Sequence, residues 1–172
     1  FSPSPPHIIF TSSTSIYPKE IRNVTELTKL ENLNDRQKTL LNVENKIKKF
    51  TPRYSILRLG GLYGGRRKIG MFMANKQTLE NSNSPVNLIH RKDVIEIIKL
   101  IIKKKINCLI LNCICDHHPT KKDLYLFHSK KLNLQPPVFV DSKHITKKIN
   151  SIYLKTLLKY THKYNNLFED YD

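Results

Sequence analysis

The sequence predicts an α/β protein whose strands form a parallel sheet. Three short apolar runs, at residues 8–10, 54–59 and 107–115, have the length and the flanking residues of buried strands. Two segments with the apolar period of a helix, 36–50 and 93–102, lie between them. Strands that alternate with helices favour a parallel sheet, because each helix returns the chain to the same end of the sheet.

Five consecutive hydroxyl residues, 11–15, follow the first apolar run. Hydroxyl groups are buried only when they find hydrogen-bond partners, so this run suits the carboxyl edge of a parallel sheet, where ligands bind. The working hypothesis is that strand 8–10 brings Ser12 and Ser13 to a cleft. The alternative is a Ser/Thr-rich turn that only caps the segment after it.

Glycine is concentrated after the second strand. Four of the five glycines of the chain occupy positions 60, 61, 64 and 65. Glycine serves where the backbone needs a positive φ or must approach a ligand closely. The basic run 66–68 follows and could meet a phosphate or a carboxylate, with a solvated loop as the alternative.

The remaining elements are shorter or less regular. Pro52 ends the first helix, and Asp93 is placed to cap the second helix or to favour its positive end. Thr120 and Asp123 have the spacing of a capping box at the start of a third helix. We further expect a loop at 19–35, a helical turn at 69–74, a loop at 76–85, short strands at 86–90 and 138–140, a helical region at 145–160 and an irregular tail at 162–172.

The net charge of the chain is +16, from 30 Lys and Arg against 14 Asp and Glu. Such a charge is compatible with binding to nucleic acid through phosphates. The alternative is compositional drift, because most of the cations are lysines spread along the chain, whereas base readout uses Arg and stacking uses aromatic residues. Drift is the favoured interpretation.

The three cysteines, Cys108, Cys113 and Cys115, predict reduced thiols and a cytoplasmic location. Spacing of the C-x-C type differs from that of zinc sites, and strand alternation puts Cys113 and Cys115 on one face as small core residues. No metal site is therefore predicted. No apolar stretch of about 18 residues exists, so no membrane span is predicted either.

Three motifs in order resemble the NAD-dependent epimerase/dehydratase family, the extended and atypical short-chain dehydrogenases. They are I-I-F-T-S-S-T-S-I-Y at 8–17, I-L-R-L-G-G-L-Y-G at 56–64 and V-N-L-I-H-R-K-D-V at 86–94. The segment 113–125 is similar to the atypical YeeZ-like branch. The resemblance implies one partial Rossmann-like domain over 1–172, with later sheet strands and helices in 7–115 and a small substrate-side, mainly helical subdomain in 116–172.

The resemblance also implies roles for individual residues. Ser13 corresponds to the hydroxyl residue that polarises the substrate, and the backbone of Ser12 would line the nicotinamide of NAD or NADP. The rest of the nicotinamide-side wall would be Leu59, Gly60, Gly61 and Leu62. On the substrate side, the resemblance implies Arg66, His90 and Arg91, with a packed or capping histidine as the alternative for His90.

Two family features are absent from this sequence. The G-x-G-x-x-G turn, which holds the cofactor pyrophosphate at a helix N-terminus, does not occur, and the family carries it ahead of the Ser-rich strand. We therefore expect an N-terminal truncation and an exposed sheet edge. When Glu44 is aligned with the family's acidic residue, Arg36 and Leu40 stand where the catalytic Tyr-x-x-x-Lys pair would be, and neither can replace it.

The predicted function is thus an NAD(P)-binding, epimerase/dehydratase-like protein without the Tyr–Lys pair, bound to a dinucleotide and an unidentified small molecule. The first alternative is a non-enzymatic dinucleotide sensor or scaffold. A basic nucleic-acid-associated protein is the less favoured alternative.

Overall fold

Three parallel strands form the main sheet of this protein. The computed structural model describes residues 5–19, 22–72, 78–140 and 147–169. Strands β1 (Ile8–Ser13), β3 (Tyr54–Leu59) and β7 (Leu109–Cys113) lie in the order β1-β3-β7. Both pairings are parallel, with Ser13 opposite Leu59 and Leu59 opposite Cys113. The prediction of an α/β protein with a parallel sheet is confirmed.

Three smaller ladders, also parallel, surround this sheet: β2 with β9, β4 with β6 and β5 with β8. Their strands are β2 (Asn23–Val24), β4 (Gly61–Tyr63), β5 (Thr78–Glu80), β6 (Leu88–His90), β8 (Val138–Val140) and β9 (Lys148–Ile149). The helices are α1 (Asp35–Phe50), α2 (Arg91–Lys103), α3 (Lys121–Lys131) and α4 (Tyr153–Thr156). No helix within the described ranges is long and apolar enough to cross a membrane.

The helix starts follow local capping chemistry. The Asn34 side chain accepts from the backbone of Gln37, and the Gln37 side chain accepts from the backbone of Asn34, so α1 begins with a complete capping box. Thr120 caps α3 as predicted, accepting from the backbone N–H of Asp123. Of the two roles predicted for Asp93, the cap belongs to the His90 side chain instead. The second role is confirmed, because Asp93 lies in the first turn, at the positive end of α2.

Three predicted segments differ from the structure. The loop expected at 76–85 contains strand β5, and the loop expected at 19–35 contains β2, which pairs with β9. A helical region is expected at 145–160, and its described part, 147–160, contains β9 and only four α-helical residues. Glu26 explains the late start of α4, because its carboxylate accepts from the Ser151 hydroxyl and the Ile152 N–H. Residues 20–21, 73–74, 76–77, 145–146 and 170–172 of the predicted segments lie outside the described residues.

The burial of β1 and the shared face predicted for the two cysteines also differ from the structure. Residues 8–10 are half-buried rather than buried on both faces, because β1 is an edge strand of the described sheet. Cys113 and Cys115 are buried, as predicted, but β7 ends at Cys113 and the two side chains enter different core clusters. Burial raises the pKa of the Cys115 thiol to about 12, so both thiols are inert core groups.

A buried ion pair joins α1 to the centre of the sheet. Arg58, in the middle strand β3, donates through Nε and Nη2 to the Glu44 carboxylate at 3.0 and 2.7 Å. The Ser12 hydroxyl of β1 donates to the same carboxylate at 2.8 Å. Glu44 is completely buried and Arg58 is 3% exposed. Two strands and a helix therefore converge on one carboxylate.

The same guanidinium extends this network to β7. Arg58 Nη1 donates to the Tyr17 hydroxyl oxygen at 2.9 Å, and that hydroxyl donates to Asn112 Oδ1 at 2.7 Å. The Asn112 amide in turn donates to the carbonyl of Asn150. Burial raises the pKa of Tyr17, which keeps its phenol protonated as the donor to Asn112.

The C-terminal segment is irregular, as predicted, but it is tightly bound to the N-terminus of α2. The fully buried Asp93 carboxylate accepts from the Tyr160 hydroxyl at 2.6 Å and from the backbone N–H groups of Lys163 and Tyr164. Nearby, the His162 ring is 3% exposed, with Nδ1 3.6 Å from Asp116 Oδ2. Burial lowers the pKa of His162.

We expect Glu44→Ala to lower the free energy of unfolding by about 3–5 kcal/mol, because it leaves the Arg58 guanidinium buried without its counter-charge. Urea denaturation followed by circular dichroism measures the loss. Lys99→Ala, which breaks an exposed ion pair with Glu96, is the control and should change stability by about 0.5 kcal/mol or less. A double variant, Glu44→Leu with Arg58→Met, should lose less than the two single changes added together. Equal losses for Glu44→Ala and Lys99→Ala would contradict this account.

Stability should fall as the pH drops below about 6.5, with His162 as a contributor. The unfolded chain binds a proton at His162 with the ordinary pKa, and the folded chain binds it only at a lower pH. Between the ordinary pKa and the lower pKa of the folded chain, the unfolded state therefore holds more protons. Lowering the pH through this range favours unfolding. His162→Gln should flatten the dependence of the urea midpoint on pH between 7 and 5. An unchanged pH dependence would show that burial of this ring is not responsible.

Candidate cofactor and substrate site

The carboxyl ends of the three main strands lie side by side. Ser13, the last residue of β1, is in register with Leu59 at the end of β3, and Leu59 is in register with Cys113 at the end of β7. Ligands of open α/β sheets bind at this edge, where the strands end and the chain turns away. The predicted nicotinamide-side residues begin at this edge.

Ser12 and Ser13 have different partners there. The buried Ser12 hydroxyl is committed to Glu44, so this residue can offer only its backbone to a ligand. Ser13 Oγ accepts from the N–H of Ser15 at 3.1 Å, which caps the short 3₁₀ helix at 14–16. No acceptor among the described residues takes the hydroxyl hydrogen of Ser13. The capping turn of the alternative hypothesis is present, and it leaves Ser13 able to donate one hydrogen bond.

The predicted wall formed by Leu59, Gly60, Gly61 and Leu62 connects the main sheet to the β4–β6 ladder. The N–H of Gly60 donates to the Cys113 carbonyl at 3.1 Å, and the N–H of Gly61 donates to the Asn87 carbonyl at 2.9 Å. A Cβ atom at Gly60 would lie 2.7 Å from that same carbonyl oxygen. Close packing of the chain on itself is therefore sufficient to require glycine at position 60.

His90 is buried between two aromatic rings. Its ring stacks on Tyr164 with centroids 4.0 Å apart and meets the edge of Tyr63 at 4.9 Å. Its Nδ1 accepts from the N–H of Lys92 and caps α2. Gly64, which has φ of +109°, lies so close to this ring that a Cβ atom there would be 2.7 Å from His90 Cδ2. The packed, capping interpretation describes the position of His90.

Basic side chains gather next to this aromatic stack. The Arg91 guanidinium lies against Gly65, where a Cβ atom would be 2.7 Å from Arg91 Cζ. Arg66 adjoins Gly65 in the chain and is exposed, and the Lys92 ammonium lies 5.5 Å from the centre of the Tyr164 ring. Arg91 therefore contacts the glycine that precedes Arg66 in the chain, and the neighbouring glycine, Gly64, packs on the His90 ring.

Arg36 and Leu40, which the resemblance aligns with the family's catalytic pair, both lie on α1. Arg36 is exposed in the first turn of α1, and Leu40 packs against the core cluster that contains Ile16 and Tyr17. Arg58 was not identified as a key residue from the sequence. The available signal was an arginine between apolar residues of a buried strand, because a buried charge requires an opposite partner such as Glu44.

Asn87 is likewise absent from the predicted site residues, although it lies inside one of the three motifs. Its side-chain amide donates to the Lys147 carbonyl at 2.7 Å and its Oδ1 accepts from the N–H of Ile149 at 2.8 Å. Its own carbonyl accepts from Gly61. Asn87 therefore fixes the glycine segment against strand β9, a role that only the tertiary structure reveals.

Comparison with known proteins identifies relatives of this chain. No protein-family model matches it. Protein YeeZ of Escherichia coli, in strains K12 and O157:H7, is 35% identical over 138 residues, which are 80% of this chain and 50% of YeeZ. The chain therefore spans about half the length of the curated relatives that it matches.

Solved structures share the fold at lower identity. UDP-glucuronic acid 4-epimerase from Bacillus cereus, in complex with NAD, superposes with a TM-score of 0.73 and 20% identity over 94% of this chain and 59% of the epimerase. A dTDP-4-dehydrorhamnose reductase from Clostridium acetobutylicum gives 0.71 and 18% over 89% of this chain and 59% of the reductase. The resemblance predicted from the three motifs is thereby confirmed: the chain is similar in sequence to YeeZ and shares the Rossmann-like fold of an NAD-dependent epimerase and a related reductase.

Proposed function

We propose that this chain is an NAD(P)-binding protein of the epimerase/dehydratase type that forms the nicotinamide and substrate side of a dinucleotide site. One observation carries the proposal. Ser13, Leu59 and Cys113 lie in register at one edge of a parallel sheet, and the chain shares its fold with an epimerase described in complex with NAD. At this edge a ligand meets backbone groups and the single free donor of Ser13.

In this proposal each predicted residue has a definite task. Ser13 donates its hydroxyl hydrogen to a carbonyl or hydroxyl oxygen of the substrate. The backbone of Ser12 and the segment formed by Leu59, Gly60, Gly61 and Leu62 bound the nicotinamide ring. Because close packing fixes Gly60 and Gly61 against Asn87 and Leu88, this wall is rigid before any ligand arrives.

The chemistry proposed is limited by α1. Arg36 and Leu40 supply neither a general base nor a group that lowers the pKa of one, so we do not assign hydride transfer by the usual Tyr–Lys mechanism. This observation favours the second candidate function, a dinucleotide sensor or scaffold without turnover.

We also assign the protein to the cytoplasm, a location that suits its free cysteines.

The substrate is proposed to be an anion. Arg66, Lys68 and Lys92 are exposed, and within the described ranges no ion pair joins any of them to a carboxylate. Together with Arg91 they follow the carboxyl ends of β4 and β6 in the chain, and their positive charge attracts a phosphate or a carboxylate. Nucleic acid is the less favoured partner, because the aromatic side chains of this region, Tyr63 and Tyr164, already pack against His90.

The cofactor proposal predicts weak but selective binding by this chain. We expect NADH titrations followed by nicotinamide fluorescence to saturate with a dissociation constant on the order of 1 mM, because the residues named here contact only one end of the dinucleotide. Nicotinamide mononucleotide should compete with NADH, and AMP should not. Failure of NADH to bind, or displacement by AMP alone, would contradict the assignment.

The anion proposal predicts a charge-specific effect at Arg66. Arg66→Ala should weaken the binding of UDP, measured by calorimetry at low salt, about tenfold, equivalent to about 1.4 kcal/mol. Lys38→Ala removes one positive charge from the exposed face of α1 and serves as the matched control. An equal loss in both variants would reveal attraction by the net charge alone.

A further inference from the structure

The end of the main sheet at which β1, β3 and β7 begin lies opposite the candidate site. Helix α1 leads into β3 and α2 leads into β7, so both helices end beside this amino edge of the parallel sheet. Hydrogen bonds connect the segments that meet there. The N–H of Ile8 donates to the Arg53 carbonyl at 2.9 Å. The Cys108 thiol donates to the Pro52 carbonyl at 2.9 Å. The chain segments that precede the three strands therefore form one continuous surface.

The two helices reach this surface from opposite faces of the sheet. Arg58 of β3 bonds to Glu44 of α1, whereas its neighbour Leu57 lies in the core cluster that contains Ile97 of α2. Successive residues of a strand point to opposite faces. The amino edge therefore presents three layers end-on: the end of α1, the starts of the strands and the end of α2.

The segments that form this surface carry cations and no carboxylates. No Asp or Glu occurs in residues 1–19, 45–79 or 97–115. Within the described ranges, no ion pair joins any lysine of the surface to a carboxylate. We call this surface the basic edge, and its cationic residues are Lys46, Lys48, Lys49, Arg53, Lys103, Lys104 and Lys105.

Large apolar side chains are exposed among these cations. Phe50, the last residue of α1, is 74% exposed, and Ile102, in the last turn of α2, is 57% exposed. Lysines in the last turn of a helix are favoured by the negative end of the helix dipole. That effect accounts for part of the charge, but it gives no reason for Phe50 and Ile102 to lie in water, where their exposed apolar area is unfavourable.

We infer that the basic edge docks on the surface of an anionic lipid bilayer. Clusters of four to eight lysines are attracted to anionic headgroups, and a phenylalanine beside them is stabilised at the boundary between headgroups and acyl chains. A nucleic-acid duplex also attracts the lysines, but it offers no apolar phase to Ile102. Docking is peripheral, because no helix within the described ranges is long and apolar enough to cross a membrane.

This inference does not rest on the proposed function. The candidate site lies at the carboxyl ends of the strands, and the basic edge lies at their amino ends. A chain docked through the basic edge therefore turns the candidate site away from the bilayer, toward the aqueous phase. Changes at the basic edge should leave the binding of NADH and UDP as they are in the unaltered chain.

Co-sedimentation of the full chain with large unilamellar vesicles tests the inference. We expect affinity for phosphatidylcholine vesicles that contain about 30% phosphatidylserine to exceed affinity for pure phosphatidylcholine vesicles by about tenfold or more. Raising the salt concentration should weaken the binding, because the lysines act through screened charge. Equal binding to both kinds of vesicle, or no binding to either, would overturn the inference.

A matched pair of triple variants separates the basic edge from the net charge. Changing Lys46, Lys49 and Lys103 to Gln should weaken binding to the anionic vesicles about tenfold or more. The control changes three exposed lysines outside the basic edge to Gln, and these are Lys29, Lys38 and Lys122. The control should bind nearly as the unaltered chain does. Equal losses in the two variants would show attraction by the net charge alone and would reject the basic edge as a docking surface.

Phe50 distinguishes a bilayer from nucleic acid. Phe50→Ala should weaken vesicle binding about fivefold, whereas Phe50→Leu should retain most of it, because both Phe and Leu are stabilised at the lipid interface. Leu27→Ala, which alters another exposed apolar side chain, is the control and should have no effect. Vesicle binding that is insensitive to Phe50→Ala, together with DNA retention that is lost in the basic-edge triple variant, would reassign the surface to nucleic acid. Circular dichroism and urea denaturation should be the same for all variants, because each altered side chain is exposed.

Discussion

The interaction on which the rest of the structure depends is the buried bond between Arg58 and Glu44. A guanidinium in the middle of a three-stranded sheet is tolerated only because a fully buried carboxylate receives two of its N–H groups. The same pair orients Tyr17, which reaches Asn112 on the next strand. The ion pair holds α1 against the sheet, and the Gln37 amide of the same helix donates to the Ser15 and Tyr17 carbonyls and so fixes the hydroxyl run at the end of β1.

The elements that the sequence predicts best are those with a strong local signal. The second strand has the predicted bounds, and α1 begins one residue early because its start is set by a capping box between Asn34 and Gln37. Strands β2 and β9 could not be predicted, because two residues carry no periodicity and their stability comes from pairing across the chain. The sequence pattern predicts a helix after residue 145. The Glu26 carboxylate instead accepts a hydrogen bond from the N–H of Ile152, and α4 begins only at Tyr153.

Only the parts of the candidate site that lie at the ends of strands could be located from the sequence. Ser13 and the glycine segment stand at strand ends, and a strand end in a parallel sheet is a position that a pattern can locate. The surroundings of His90 could not be predicted, because Tyr63 and Tyr164 are distant in sequence and meet the ring only after folding. The same limit applies to Arg58, whose partner lies on a different element and cannot be identified by spacing.

The Asp93 contacts have a consequence for the order in which the protein is made. This carboxylate is fully buried, and its hydrogen-bond donors, the Tyr160 hydroxyl and the N–H groups of Lys163 and Tyr164, are 67 to 71 residues later in the chain. During synthesis, α2 leaves the ribosome well before those donors do. Its first turn therefore lacks these donors until translation has passed Tyr164, and the stack of His90 on Tyr164 forms only after that point.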